Sequence, residues 1–456
     1  MDHTLLVFPR MRYPSGDPPL GVAYLASCLR QAGHSVSIFD ATFHRRPLER
    51  LADELLRLRP GLVAISALTS MVQDVAAVAE LVSHVCPDAV VVVGGPHATV
   101  EPESTARLPG VDAVHVGEAE ISLPALVANG LQYRGLQGYS YCECRDFIDG
   151  GSAPAVRDLD EIPYPAWDLL PMDKYLAHWY QLDAVAFDLR GTSIIASRGC
   201  PFNCAYCQPT LRTIFGNKIR RRSPDNIVGE LAELKGRFGI EGVMWLDDTF
   251  LVDRKWMAEL CRAMVEAGLG LLWGCNIRAD LVDRESLLMM KEAGLRVAHI
   301  GIESATQRIL DEIYMKGITV QQAEEAVHLA RDVGLSVRGY FMLGAPTETE
   351  QEAWATVDLA NRLPLDDASF SITTPLPHTH LWDKTRELVG QEMEQFDYYK
   401  VPVYKEGVAL PARRLVRIKR AAFLRFYLGR KRLWRTVRSM LSVSGVRKAL
   451  LKVQRF

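Results

Sequence analysis

The 456-residue chain lacks any apolar run long enough to cross a membrane. Its longer runs, such as residues 89 to 93, fall far short of the roughly 20 residues that a spanning helix requires. No charged segment followed by an apolar one opens the chain, so we expect no secretory signal peptide. A disulfide framework is also not expected, because nine cysteines are scattered through a long chain. These absences predict a globular protein of a reducing compartment, the cytoplasm.

Two common ligand signatures are missing as well. No Gly-x-Gly-x-x-Gly segment follows a predicted strand, which argues against a dinucleotide site. No second Cys/His pair stands at zinc-finger spacing from the first, which argues against structural zinc. Acidic residues are absent from residues 407 to 456, which hold 15 Lys and Arg. The remaining 38 basic and 55 acidic residues give residues 1 to 406 a formal charge of −17.

Three cysteines, Cys200, Cys204 and Cys207, lie within eight residues and indicate one metal centre. Three ligands leave a fourth coordination position vacant. An iron–sulfur cubane is held by cysteine thiolates, and one with three protein ligands exposes an iron to a small molecule. The spacing therefore predicts a catalytic cluster, against the alternative that these are ordinary small buried residues.

The Cys-x3-Cys-x2-Cys spacing, with Phe202 inside it and Tyr206 before the last cysteine, resembles the radical S-adenosylmethionine (radical SAM) superfamily. The resemblance implies a [4Fe–4S] cluster whose open iron chelates the amino and carboxylate groups of SAM. It further implies that electron transfer from the cluster releases a 5′-deoxyadenosyl radical, and that Tyr206 lies against the adenine. An external electron donor such as flavodoxin or ferredoxin would supply the electron.

The first 140 residues alternate strand-like and helix-like patterns. We predict strands at residues 4–8, 35–40, 62–66, 89–93 and 111–116, and helices at residues 20–32, 47–58 and 72–85. This alternation predicts a parallel, doubly wound sheet whose ligand binds at the carboxyl ends of the strands. Small residues dominate two of the loops there, so that backbone can approach a large ligand closely.

Residues 18–25, 94–99 and 117–120, in this order before the three cysteines, are similar to the cobalamin-binding radical SAM family. The similarity covers most of residues 1 to 375. It implies a Rossmann-like cobalamin domain over residues 1–140. The residues expected at the cobalamin are Ser66 and Thr69 beside the corrin, Gly94 and Gly95 around the nucleotide tail, His97 and Glu118.

The Asp-x-His-x-x-Gly signature, which supplies an axial histidine in other cobalamin proteins, is absent. Imidazole is a common metal ligand, so His97 is the obvious substitute for cobalt coordination. We favour instead a hydrogen bond from His97 to loop backbone or to the tail of the ligand.

After an interdomain linker over residues 141–190, a second alternating pattern predicts six βα units of an open partial (β/α)6 barrel over residues 191–375. Chemistry in parallel barrels sits at the carboxyl ends of the strands. SAM offers cations, a diol and a carboxylate, which call for carboxylates and a guanidinium or backbone N–H. Residues of these types at the strand ends are Asp247, Asp248, Asn276, Arg278, Glu303, Ser304 and Gly344.

The family resemblance implies separate roles for these residues. Asp247 and Asp248 stand where the family contacts the SAM amino group, and Glu303 and Ser304 stand in the ribose and carboxylate motif. Gly344 begins a segment that surrounds the adenine with backbone. The alternative for any one polar residue is that it caps the following helix.

Residues 376–456 form a basic, mostly helical region. Leu433, Val437, Met440 and Leu441 recur at helical spacing among arginines. We consider, in order of preference, a cap on the barrel, peripheral attachment to a membrane surface, and RNA binding. Nucleic acid is thus the least favoured partner, and a small-molecule substrate is expected.

The function predicted from the resemblance is methylation of an unactivated substrate carbon. One SAM would methylate the cobalamin, and the radical from a second SAM would activate the substrate, which takes the methyl from methylcobalamin. The first alternative is an oxidative cyclase or rearrangement enzyme of the same family. A tRNA methylthiotransferase is disfavoured because residues 1 to 140 hold only Cys28 and Cys86. A non-catalytic cobalamin-binding protein is the remaining alternative.

Overall fold

The structure is a computed structural model that describes residues 3–12, 14–185, 189–390, 403–405, 407–429 and 432. It divides the chain into two compact units. The first contains residues 1–175 and 209–221, and the second contains residues 176–208 and 222–456. In this division residues 141–175 belong to the first unit and residues 176–190 to the second, and the predicted domain bounds remain predictions.

The first unit is built on a seven-stranded sheet in the order β2-β1-β3-β4-β5-β6-β7. Its strands are β1 (Thr4–Phe8), β2 (Val36–Asp40), β3 (Leu62–Ser66), β4 (Val90–Gly94), β5 (Ala113–His115), β6 (Tyr139–Glu143) and β7 (Asp146–Ile148). Its helices are α1 (Leu20–Gln31), α2 (Pro47–Leu58), α3 (Val72–Val85), α4 (Pro96–Val100), α5 (Pro102–Ala106) and α6 (Ser122–Ala128). Strands β1 to β5 are parallel, as predicted, and are rich in Val, Leu and Ile because helices cover both faces.

The last two strands of this sheet are antiparallel and were not predicted. Strand β6 pairs with β5, and the buried Tyr139 donates a hydrogen bond from its hydroxyl to the carbonyl of Ser122 at 3.0 Å. The β6–β7 turn contains Cys144 at φ +57°, a conformation usually given to glycine or asparagine. Since the turn lacks those residues, the sequence carried no hairpin signal.

The second unit is an open half-barrel whose six parallel strands run in the order β15-β14-β13-β12-β11-β8. These strands are β8 (Gly191–Ile194), β11 (Gly242–Trp245), β12 (Leu272–Ile277), β13 (Leu295–Glu303), β14 (Ser336–Leu343) and β15 (Asp367–Ile372). The helices are α9 (Pro224–Phe238), α10 (Arg254–Glu266), α11 (Arg284–Glu292), α12 (Val320–Asp332), α13 (Glu350–Arg362), α14 (His380–Thr385) and α15 (Ala412–Leu428). Shorter elements are α7 (Met172–His178), β9 (Ser197–Arg198), α8 (Thr210–Thr213) and β10 (Arg220–Arg221). The predicted six βα units are confirmed.

Side-chain caps mark where five of the barrel helices begin. Helices α9 to α13 are each preceded by a Ser, Asp or Thr whose oxygen accepts a hydrogen bond from a first-turn amide. Thr319 with Gln322, and Thr349 with Glu352, form reciprocal capping boxes. These caps satisfy amides that helical geometry leaves unpaired.

One end of the half-barrel is filled by an apolar cluster. Trp179, Leu182, Met244 and Val297 pack together there. A Cβ on Gly191 would lie 2.0 Å from the Trp179 ring, so only glycine allows this packing. The opposite end, at the carboxyl ends of the strands, carries the polar residues singled out in the sequence.

Helix α15 is the longest described helix of the basic region, and it supports the cap interpretation. Its buried residues include Leu415, Ile418, Ala422 and Phe426, and the helix lies against α13 and β15. The predicted amphipathic segment of Leu433, Val437, Met440 and Leu441 lies outside the described residues. Among the described helices, none has the length and apolar character needed to span a membrane.

Candidate functional site

The three cysteines lie on one loop of the second unit, and each is partly exposed. Backbone hydrogen bonds hold this loop on both sides. The Ala205 amide donates to the Tyr314 carbonyl at 2.8 Å, and the Ala205 carbonyl accepts from Leu381 at 2.9 Å. These two hydrogen bonds therefore fix the backbone of the cysteine loop at Ala205.

The surroundings of Cys200 and Cys207 favour the neutral thiol in the absence of a cation. Burial, followed by the charge of Cys204, raises the pKa of Cys207 to about 12. Burial is also the largest cause of the raised pKa of Cys200. Because metal binding requires thiolates, a positively charged iron centre would have to displace these protons.

Within the described residues, no three His, Cys, Asp or Glu side chains converge as a single metal ion would require. A cubane places each thiolate on a different iron, so its ligands stand farther apart than those of one ion. The donor set of Cys200, Cys204 and Cys207, which interact electrostatically, fits such a cluster better than zinc.

Arg278 supports the cysteine loop. Its guanidinium donates to the Cys204 sulfur at 3.4 Å and lies 3.9 Å above the centre of the Phe202 ring. The same guanidinium donates to the Lys316 carbonyl and pairs with Asp280 at 2.8 Å. The Arg278 guanidinium is thus engaged by groups of the protein, whereas the sequence analysis suggested that it binds the SAM carboxylate.

Tyr206, Glu303 and Lys316 form a hydrogen-bonded triad at the cysteine loop, in which Glu303 and Lys316 are buried. The Lys316 ammonium lies 2.7 Å from Glu303 Oε1 and donates to the Tyr206 hydroxyl at 3.2 Å. The Tyr206 hydroxyl donates to the same Oε1 atom at 3.1 Å. No donor in the described part of the chain reaches Oε2, which leaves that oxygen able to accept from a ligand hydroxyl.

The backbone around the triad is specialised. Glu303 adopts φ +67°, which is uncommon outside glycine and marks stored strain at functional positions. A Cβ on Gly301 would lie 2.5 Å from Glu303 Oε1 and 2.7 Å from Lys316 Nζ, so glycine makes room for both groups. Sequence reasoning missed Lys316, which follows a π-helical turn at Ile309–Ile313 and belongs to no strand end.

The two aspartates after β11 have different surroundings. Asp247 is buried, and it accepts hydrogen bonds from the Ala196 amide at 3.1 Å and from the Ser197 hydroxyl. It thereby fixes the segment that leads into the cysteine loop. Asp248 is exposed, and partial desolvation together with the charge of Asp247 raises its pKa to about 7. Asp248 is thus the better placed of the two to meet a ligand cation.

Asn276 and Ser304 both have structural partners. The Asn276 side chain donates to the Asp247 carbonyl at 3.0 Å. Ser304 is fully buried, lies 3.4 Å from the Thr356 hydroxyl and accepts from the Thr306 amide at 3.1 Å. Their expected contacts with SAM remain predictions.

The loop after β14 is shaped by Gly344 and Glu348. Gly344 has φ +82°, and its amide donates to the Glu348 carboxyl. A Cβ on Gly344 would lie 2.3 Å from Leu415, so glycine is needed for this packing. Glu348 is 3% exposed and burial raises its pKa to about 7.

The Glu348 pKa makes stability depend on pH. The folded state keeps the Glu348 proton up to about pH 7, whereas the unfolded state releases it near pH 4.5. This contribution is fully present below pH 4.5 and is lost as the pH rises towards 7. We expect the unfolding free energy to fall by about 2–3 kcal/mol more in the natural chain than in Glu348→Gln between pH 5 and pH 8, by urea denaturation. Glu350→Gln is the control, because Glu350 is partly exposed and its contact with Arg414 lowers the pKa of that carboxyl, which keeps it ionised over this pH range. Equal slopes in all three chains would contradict the assignment.

In the first unit, two neighbouring strand ends bring Ser66, Thr69, Gly94, Gly95 and His97 together. The Ala67 amide donates to the Gly94 carbonyl at 2.8 Å, and the Ala67 carbonyl accepts from His97 at 2.9 Å. Gly95 has φ +94°, and a Cβ there would lie 3.1 Å from the Ala67 carbonyl oxygen. This loop pair presents backbone and hydroxyls at the edge where doubly wound sheets bind ligands.

His97 is buried and neutral. Its Nδ1 lies 3.3 Å from the Thr69 hydroxyl, and burial lowers its pKa to about 4. The His97 ring thus contacts a side-chain hydroxyl of the neighbouring loop, and its expected contact with loop backbone or with the cobalamin tail remains a prediction. Glu118 is buried against the arginine that follows the cysteine loop: its two oxygens accept from Arg220 at 2.8 Å each, and one also accepts from the Val156 amide. Its carboxylate is therefore engaged by the protein, and its expected role at cobalamin remains a prediction.

Comparisons with known proteins cover both units. The B12 binding domain model matches residues 15–127, and the Radical SAM superfamily model matches residues 194–360. An uncharacterized methyltransferase of Pyrococcus horikoshii is 38% identical over 80% of this chain and 78% of its own length. An anaerobic magnesium-protoporphyrin IX monomethyl ester cyclase of Cereibacter sphaeroides is 30% identical over 87% of this chain and 65% of its own. The structure of the cobalamin-dependent S-adenosylmethionine radical enzyme OxsB, with aqua-cobalamin and SAM bound, has a TM-score of 0.76 at 17% identity, covering 100% of this chain and 71% of OxsB.

Proposed function

Since this chain belongs to the cobalamin-binding radical SAM family, we propose that it is a methyltransferase acting on an unactivated carbon of a small molecule. The observation that carries the proposal is the cysteine loop with the Tyr206–Glu303–Lys316 triad beside it. The 38% identity to a methyltransferase over most of both chains favours methyl transfer. The reacting carbon and the identity of the substrate are not specified by these residues.

In the proposed enzyme, Cys200, Cys204 and Cys207 hold a [4Fe–4S] cluster, and Ser66, Thr69, Gly94, Gly95 and His97 border cobalamin. When bound, the cluster supplies the electron that cleaves SAM, and cobalamin supplies the methyl group. Arg278 donates to the Cys204 sulfur and so helps to position that ligand. The Phe202 ring beneath the guanidinium keeps that donor in place.

The triad would orient SAM. Lys316 neutralises Glu303 through Oε1, and the remaining Oε2 accepts a hydrogen bond from a ribose hydroxyl. Tyr206 is fixed by both partners, so that its ring keeps one orientation beside the adenine. Asp248 provides an accessible carboxylate above pH 7 for the ammonium group of SAM.

The proposed enzyme also requires an electron donor and a reducing compartment. A one-electron donor such as flavodoxin or ferredoxin is needed, because the described side chains contain no redox couple of that kind. All nine cysteines are free, which agrees with a reducing compartment such as the cytoplasm.

The test is anaerobic reconstitution of the full chain with iron, sulfide and hydroxocobalamin, followed by reduction and addition of SAM. We expect one cobalamin per chain and 5′-deoxyadenosine as a product. Cobalamin binding with intact SAM would instead identify a non-catalytic cobalamin protein.

The cyclase similarity favours one alternative, an oxidative cyclisation without methyl transfer. With methyl-labelled SAM, a product that forms without label would support that alternative.

A further inference from the structure

Helix α15 presents an exposed face that the proposed chemistry does not use. Arg413, Arg417, Arg420, Leu424 and Leu428 follow one another at spacings of four, three, four and four residues, which places them on one side of the helix. All three arginines are exposed, and the two leucines are 54% and 56% exposed. The opposite side of α15 is buried against its own unit, so this face, here called the α15 outer face, points to solvent.

The arginines of the α15 outer face differ from those at its margins. Arg414 pairs with Glu350 at 2.7 Å, and Arg425 pairs with Asp358 at 3.4 Å, both on α13. In the part of the chain that the structure describes, Arg413, Arg417 and Arg420 form no ion pair within 4 Å. The margins of the helix are thus neutralised, while its outer face keeps its positive charge.

The composition of the region strengthens this charge. Residues 407 to 456 contain 15 Lys and Arg and no Asp or Glu, whereas the rest of the chain has a formal charge of −17. A solvated face of an acidic protein would be expected to carry some compensating acids. Concentration of positive charge on one segment creates a local potential that attracts polyanions.

The two exposed leucines distinguish between the two candidate polyanions, a nucleic acid and an anionic membrane surface. Aliphatic side chains gain free energy when an apolar phase takes them out of water, and a nucleic-acid backbone offers no such phase. An interfacial helix combines exposed leucines with arginines, because acyl chains and anionic headgroups lie side by side at a bilayer surface. We propose that the α15 outer face binds the surface of an anionic phospholipid bilayer, so that the enzyme is a peripheral membrane protein.

The experiment is co-sedimentation of the full-length chain with phosphatidylcholine vesicles that contain or lack phosphatidylglycerol. We expect binding only to the anionic vesicles, and release at about 1 M salt, where the Debye length is about 3 Å. Arg413→Glu/Arg417→Glu/Arg420→Glu should weaken partitioning by about 100-fold or more, because each basic residue near such a surface contributes about five-fold. Leu424→Gln/Leu428→Gln should weaken it by about ten-fold.

A control variant carries the same three charge reversals on other helices, away from the α15 outer face in sequence. Lys255→Glu/Arg262→Glu/Arg284→Glu replaces three exposed basic residues on α10 and α11 and should leave vesicle binding within about two-fold. Equal melting temperatures and equal iron content of all variants would show that the fold is intact. These measurements do not depend on the methyltransferase assignment, which can fail separately.

Three outcomes would overturn the proposal. One is the absence of binding to anionic vesicles at low salt, and another is full retention of binding by the triple Arg→Glu variant. The third is binding of the chain to polyuridylic acid with no effect of the leucine substitutions on vesicle binding, which would identify a general polyanion site.

Discussion

Replacing Cys204 with Ser is expected to abolish SAM cleavage by the reconstituted chain. Serine keeps the size of the side chain but does not supply a thiolate, so the cluster loses one of three ligands. Iron content should fall from about four atoms per chain to near zero, and 5′-deoxyadenosine formation by at least about 1,000-fold. Iron analysis, absorption of the anaerobic protein and product chromatography measure these effects. The same loss is expected for Cys200→Ser and Cys207→Ser.

Cys144 provides the control for this substitution. It is exposed and lies in the β6–β7 turn of the first unit, away from the cysteine loop in sequence. Cys144→Ser should keep both iron and activity. Full iron content in Cys204→Ser, or its loss in Cys144→Ser, would contradict the assignment of the cluster to the three-cysteine loop.

The second large effect is expected at Lys316. Lys316→Met keeps the aliphatic stem but leaves the buried carboxylate of Glu303 without its cation. Breaking a buried ion pair by removing one partner costs about 3–5 kcal/mol, and we expect this loss in the unfolding free energy of the cluster-free chain. SAM should also bind about ten-fold more weakly, because Tyr206 loses a hydrogen-bond donor.

Two further variants distinguish the charge effect from lost packing. Lys316→Met/Glu303→Gln should recover most of the stability without recovering SAM binding, since no buried charge is left unpaired. Lys291→Met removes an ammonium that donates to the Val333 carbonyl and, among the described residues, forms no ion pair, and should cost about 1 kcal/mol. A Lys316→Met variant no less stable than Lys291→Met would refute the role given to the ion pair.

The local elements of the fold were predictable because their signals are local. The bounds of α2, β3 and α3 agree with the sequence prediction. Pro47 marks the first turn of α2, and the apolar run of β3 has the length of a strand. The β6–β7 hairpin was missed because its turn lacks glycine and its pairing partner, β5, is distant in sequence. Hydrogen bonds between distant segments leave no periodic pattern in the amino-acid sequence from which the pairing could be predicted.

In the candidate site, too, the features with local sequence signals were predictable and those that depend on contacts between distant residues were not. The cysteine spacing and the strand-end acids were visible in the sequence, because ligand type and position after a strand can be read directly. Lys316 was not, since it joins Glu303 and Tyr206 only through folding of a π-helical turn. The buried partners of Asp247 and Glu118 were equally hidden, because Ser197 and Arg220 are 50 and 102 residues away in sequence.

The central claim is that this chain transfers a methyl group with cobalamin, and one anaerobic reaction tests it most directly. The reduced, reconstituted chain is incubated with SAM, with and without cobalamin, and both S-adenosylhomocysteine and 5′-deoxyadenosine are quantified. The account predicts both products, with S-adenosylhomocysteine formed only when cobalamin is present. Formation of 5′-deoxyadenosine without S-adenosylhomocysteine in the presence of cobalamin would contradict it.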